Sequence, residues 1–120
     1  MSLPSIKNFV PDWAAELPLS ITITDADANI IYMNDKAAAT FNKYGGETLI
    51  GKSLFDCHNP LSADTIRKLL KTGGSNVYTI EKQGQKKLIW QSAWFTNKII
   101  SGLVEISIVL PTDMPHHNRD

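Results

Sequence analysis

The chain holds one cysteine in 120 residues, Cys57, so no internal disulfide can staple it. It has no apolar run long enough to span a bilayer and no basic start leading into an apolar segment. These absences give the expectation of a cytoplasmic protein with no membrane association. Charge of one sign is also missing, because twelve basic residues balance twelve acidic ones. No broad field would draw DNA, RNA or an anionic lipid surface, so no nucleic acid is expected as a partner. The marks of common enzymes are absent: there is no nucleophile elbow and no close carboxylate pair with a histidine in reach. "KYGGETLIGKS" has the glycines of a phosphate loop, but they cap one helix and break another, and no strand precedes them. The expectation is a protein that is not an enzyme.

What is present is an ordinary globular composition, 42% hydrophobic and 20% charged. A single domain of this size buries about two-thirds of its unfolded surface. In "FVPDWAAELP", Phe9, Val10, Trp13, Ala14 and Leu17 recur at helical spacing, and Pro18 ends the run. Ile21 and Ile23 then alternate with Thr22 and Thr24 as in a strand. "DADAN" has turn chemistry with Asn29 as the left-handed residue, and "IIYM" is a second strand. Asn34 caps a helix that places Ala37, Phe41 and Tyr44 on one face and stops at Gly45-Gly46. "ETLIGKSLF" reads as a single helical turn broken at Gly51. Ser62 caps a further helix whose Ile66, Leu69 and Leu70 face inward.

Everything after Gly74 reads as strand. "SNVYTIEKQ" meets "QKKLIWQSAWF" across a tight turn near Gly84, and "TNK" turns into "IISGLVEISIVLP". The last strands are apolar on both faces, with Leu88, Trp90 and Trp94 on one and Ile89, Ala93 and Phe95 on the other. A sheet of that kind needs two covers. The central helices supply one; the N-terminal helix or a second copy supplies the other. A homodimer is therefore expected, with Phe9, Trp13, Leu17, Ile89 and Phe95 at its interface.

"ITDADANIIYMNDKAAATF", "LIGKSLFD" and "GLVEISIVLP" together resemble the PAS sensor domain over residues 18–111. Within that family the chain looks most like small stand-alone proteins of bacteria and archaea with a similar "DCH" segment and a "YTIEK…KKLIWQ" strand pair. The resemblance implies an α+β fold: a PAS-like five-stranded antiparallel sheet with short helices on one face and an N-terminal amphipathic helix. It implies a pocket under the helices, used for sensing and for dimerising. The expected organisation is an N-terminal dimerisation helix over 1–17, the PAS domain over 18–111 and a flexible tail over 112–120. Because "LPTDMPHHNRD" shows two prolines and no heptads, output is expected to pass through a separate signalling protein or through bound ligand alone.

The candidate pocket is an apolar cup of Tyr32, Phe41, Phe55, Ile66, Leu69, Trp90 and Trp94, with Cys57, His58, Gln91, Ser92 or Glu105 as polar handles. The plain alternatives are a filled core and, for Glu105, a solvated or cross-strand carboxylate. Cys57 and His58 offer at most two ligands, too few for zinc, so no metal is expected. Either would be a haem donor beside the pocket, although haem-binding relatives take a histidine from the long helix and "ADTIRKLLKT" has none. Flavin-binding relatives carry a cysteine where Leu54 stands, and cinnamate-binding ones carry it beyond Cys57, so neither covalent motif is met. The bland reading packs Cys57 as a small hydrophobe and spends His58 and Asp56 on backbone groups. The functional expectation is a PAS-type sensory domain that binds a small molecule non-covalently and acts through protein association. A ligand-free interaction module is the alternative, or a haem or redox sensor using Cys57 and His58.

Overall fold

The computed structural model describes residues 10–57 and 60–120, with only the backbone of Cys57, Pro60 and Leu61. In chain order the elements are α1 (Asp12–Ala15), β1 (Ser20–Thr24), β2 (Ile30–Met33) and α2 (Asp35–Thr40). Three 3-10 turns follow (Asn42–Tyr44, Gly46–Leu49, Leu54–Cys57), then α3 (Pro60–Thr72), β3 (Ser75–Lys82), β4 (Gln85–Thr96) and β5 (Ile99–Val109). The strands make one five-stranded antiparallel sheet, as the family resemblance implies, and its order is β2-β1-β5-β4-β3.

Local chemistry explains the connections. In the turn from β1 to β2, the Asp25 Oδ1 accepts from the backbone N–H groups of Asp27 at 3.0 Å and Asn29 at 2.9 Å. The left-handed position is Ala28, at φ 65°, and not Asn29 as the turn chemistry suggests. Ala28 is fully buried, and its carbonyl accepts from Leu54 N–H at 2.8 Å, so the site requires a side chain no larger than a methyl. The β3–β4 turn has Gln83 and Gly84 at positive φ, and the β4–β5 turn has Asn97 and Lys98 likewise. Both are two-residue turns whose twist matches that of the flanking strands. Helix α3 begins at Pro60, two residues before the expected cap Ser62, and proline at a first helical position loses no bond the helix would make.

Asn34 has more to do than cap α2. It is 1% exposed, and its Oδ1 accepts from Ala37 N–H at 2.9 Å and from Ile21 N–H at 3.0 Å. Its Nδ2 donates to the carbonyls of Ala14 at 3.0 Å and Leu19 at 2.8 Å. One side chain thus ties α1, the approach to β1, β1 itself and α2 together with no capacity left over.

The sheet has a helix side and an open side, and strand register assigns each residue to one of them. Thr22 pairs with Met33 and Glu105, and Glu105 pairs with Gln91; this row faces the helices, where Met33, Leu54, Ile66, Leu69 and Leu103 form the main core. Ile23 pairs with Tyr32 and Val104, and Trp90 with Ile106; this row lies on the open side. The sequence separates the two apolar sets of β4 correctly but assigns their covers in reverse. Ile89 and Ala93 are buried on the helix side, while Trp90 and Trp94 stand on the open side. Phe95 also corrects an expectation: a Cβ on Gly73, just after α3, would lie 2.9 Å from its ring, so it belongs to the helix side. Alternation divides a strand into two sets, and tryptophan bulk does not say which set the helices cover.

On the open side a smaller cluster of Val10, Ala14, Ile21 and Tyr32 holds α1 to the β1–β2 half, with Leu17, Leu19, Ile23 and Ile106 packed against it. Within the described residues α1 is a single turn; the expected interface residue Phe9 lies outside them. Among the described residues no helix is long and apolar enough to cross a membrane.

Candidate functional site

The helix side carries a polar row inside an apolar frame. Asn76 Nδ2 donates to Gln91 Oε1 at 3.1 Å, and Gln91 Nε2 donates to Glu105 Oε2 at 3.1 Å. Gln91 is 3% exposed, so these bonds meet the cost of burying its amide. Tyr78 shares this side, and its phenol is pushed above the ordinary value, first by burial and then by the Glu105 carboxylate. Glu105 and Thr22 close one wall of a slot whose other walls are Ile30, Met33, Phe41, Leu49 and Leu54. The slot measures about 20 Å³, room for one water.

A second, larger space opens outward from two of the same walls. Phe41 and Leu49 also line a cleft of about 530 Å³ completed by Tyr44, Lys52, Asp56 and Lys82. The chain reaches Lys52 along the β2 edge, where Gly51 N–H donates to the Ile30 carbonyl at 2.7 Å and Ile30 N–H donates to the Lys52 carbonyl at 2.9 Å. Lys43 stands over the Tyr44 ring at 5.7 Å, and Arg67 stands over the Phe55 ring at 4.7 Å.

On the open side, a groove of about 300 Å³ runs between α1 and the sheet, walled by Val10, Trp13, Ile21, Ile23, Trp94, Val104 and Ile106. Trp13 is 67% exposed and Trp90, beyond the groove, 45%. Trp94 is anchored by its indole Nε1, which donates to the Thr24 carbonyl at 2.9 Å. That approach needs Gly102, where a Cβ would collide with the Thr24 carbonyl oxygen and the indole nitrogen.

A family model described as PAS domain matches residues 18–91, more than half of the chain. The chain belongs to the PAS-domain family. Solved PAS-like structures share its architecture. The Vibrio cholerae VqmA–ligand–DNA complex superposes with a TM-score of 0.65 at 17% identity, over 90% of this chain and 52% of that one. A sensory box sensor histidine kinase from Vibrio cholerae gives 0.58 at 17% identity, over 83% and 88%. The Aer2 receptor from Vibrio cholerae, described as a dual PAS-heme oxygen sensor, gives 0.58 at 14% identity, over 78% and 95%. At these identities the likeness is one of fold. This PAS domain spans about half the length of VqmA. No curated protein sequence matches the chain.

The PAS sheet sorts the residues singled out from sequence. Phe41 and Glu105 line the slot. Ile66 and Leu69 are buried in the core beside it, and Phe55 packs against that core. Tyr32, Trp90 and Trp94 are a correction: they occupy the opposite side of the sheet and do not line the cup. Burial, then the Asp35 carboxylate, holds the Tyr32 phenol above its ordinary value. Ser92 is bonded to Ser75 on the open side as well. His58 and the side chain of Cys57 lie outside the described residues. Sequence reasoning missed Thr22, Ile30, Met33, Leu49 and Leu54 of the slot and Tyr44, Lys52, Asp56 and Lys82 of the cleft. Buried Gln91 opposite Glu105 was the available signal, since two polar residues paired across long apolar strands mark the side with a polar task. Haem does not fit the described residues of the slot, which has the volume of one water and no imidazole or thiol in its wall.

Proposed function

We propose that this PAS domain senses a small molecule non-covalently on its helix side and transmits the event through association of its open side with a second copy. The carrying observation is that β4 and β5 serve both surfaces through alternate residues. The Gln91–Glu105 pair lies on the helix side, where Glu105 walls the slot, and the adjacent Trp90–Ile106 pair lies on the open side. A shift in one pair has to displace the next, because packed strands move as a unit. The half-exposed Trp90 and Val77, continuous with the apolar groove beside α1, support pairing between copies. VqmA, which shares the fold, is described as a dimer and as bound to a ligand.

The reading assigns the chain no catalytic step. Its test is native mass spectrometry of protein purified from its own host, combined with sedimentation across a wide concentration range. A copurified small molecule and a reversible dimer that Trp90→Glu dissociates are the expected results. A bare mass throughout would leave only the interaction half, and monomer at every concentration would end that half as well.

A further inference from the structure

The cleft between the 42–49 turns and the end of β3 has a chemical bias that narrows what the PAS domain would sense. We propose that it takes a small organic carboxylate, with the acid group held by Lys52 and Lys82 and an apolar body against Phe41, Tyr44 and Leu49. This rests on the small-molecule half of the proposed function and adds the ligand class. At about 530 Å³ the cleft is within the range of small-molecule sites, whereas the slot behind it is not. Its lining sets two lysines against one aspartate, Asp56. Among the described residues neither lysine forms an ion pair, so both ammonium groups are available to an incoming anion.

The two cations come from separate parts of the fold. Lys52 is itself bonded to β2 through its carbonyl, and Lys82 lies in register with Gln85 at the end of β3, on the same side of its strand as Asn76 and Tyr78. Their convergence is thus set by the sheet and not by neighbours in sequence. An ammonium recognises a carboxylate as a point charge and tolerates varied ligand shapes, while the apolar wall rewards a planar or branched hydrocarbon body. Because Phe41 and Leu49 belong to both spaces, a ligand in the cleft presses on the walls that enclose Glu105.

The experiment is an amide NMR titration of the full chain with 1-naphthaleneacetate and, separately, with its uncharged analogue 1-naphthaleneacetamide. The expected result is that the carboxylate shifts resonances between residues 41 and 56 and at Lys82. The amide should bind at least about tenfold more weakly, the scale of one charge-assisted bond. The double variant Lys52→Gln/Lys82→Gln should abolish that preference, and Lys52→Arg/Lys82→Arg should keep it. Equal affinity for the two probes at these residues overturns the carboxylate class and leaves the sensing cleft standing. No shift at these residues with either probe removes both. A carboxylate preference unchanged in the glutamine variant places the anion elsewhere and overturns the proposal.

Discussion

On the helix side β4 presents Ile89, Gln91 and Ala93, all buried, and ends in Phe95, which is half exposed. On the open side the same strand presents Leu88, Trp90 and Trp94, large residues that remain partly or half exposed. The core thus takes an amide while the tryptophan beside it stays half exposed. The helix side has a core closed around a one-water slot, and its buried amide is paired. The open side is unfinished from Trp90 toward β3, because α1 covers only the β1–β2 half. On the proposed reading the buried amide serves stability and the exposed indole beside it serves association, and each can be tested without the other.

The largest expected effect is at the place where the two sides are locked together. Gly102→Ala pushes a methyl into the Thr24 carbonyl and the Trp94 indole, with backbone on one side and no free rotation to relieve it. We expect a loss on the order of 4 kcal/mol in urea denaturation, at the upper end for a single substitution. A loss under about 1 kcal/mol would mean that Trp94 is not held against β1 as described.

Asn34→Ala comes next. It removes four hydrogen bonds and leaves two carbonyls and two N–H groups to find water at a buried junction. About 3 kcal/mol is expected from the lost cap and the orphaned groups together. Asn34→Asp should be nearly as costly, because a carboxylate cannot donate to the Ala14 and Leu19 carbonyls. Recovery of stability in the aspartate variant would reduce Asn34 to an ordinary helix cap.

The neighbouring pair Gln91 and Trp90 then sharpens the comparison directly. Gln91→Leu removes the amide that bridges Asn76 and Glu105 and should cost about 2 kcal/mol at any protein concentration. Trp90→Ser should cost under about 1 kcal/mol in dilute solution, yet lower the thermal midpoint progressively more, relative to the unmodified chain, as concentration rises. Equal and concentration-independent losses for the two would erase the distinction between the sides.

The strands, the Asn34 cap, the glycine stops and both hairpin turns were legible because each is a local signal, fixed by periodicity or by one residue's backbone chemistry. Which side of the sheet the helices cover is not local. It depends on Met33 and Leu103, seventy positions apart, meeting Ile66 and Leu69 of α3 in one core, and nothing in "LIWQSAWF" records that. Size misled as well: Trp90 and Trp94 read as core because tryptophan usually is, whereas the core took Gln91 and bonded it on both sides. The cleft was illegible for a third reason. Its lysines are thirty positions apart and look like ordinary solvated charges until the fold brings them to one opening.

The smallest effect comes from a tyrosine on each side. Tyr32 on the open side and Tyr78 on the helix side are both held above the ordinary value of 10.0, each first by burial and second by a carboxylate, Asp35 and Glu105 respectively. A raised phenol favours the neutral form in the folded chain. Its contribution to stability is therefore complete below about pH 10 and is lost as pH rises through the raised folded value. Phenolate absorbance should show both residues titrating late. Glu105→Gln removes the lesser cause at Tyr78 alone, so one late step should move part of the way back while the Tyr32 step stays. Tyr78→Phe should delete the step that moved and slow the alkaline loss of stability. If Glu105→Gln shifted both steps equally, the carboxylate would be acting through the whole sheet, and the separation of the two sides would not hold electrostatically.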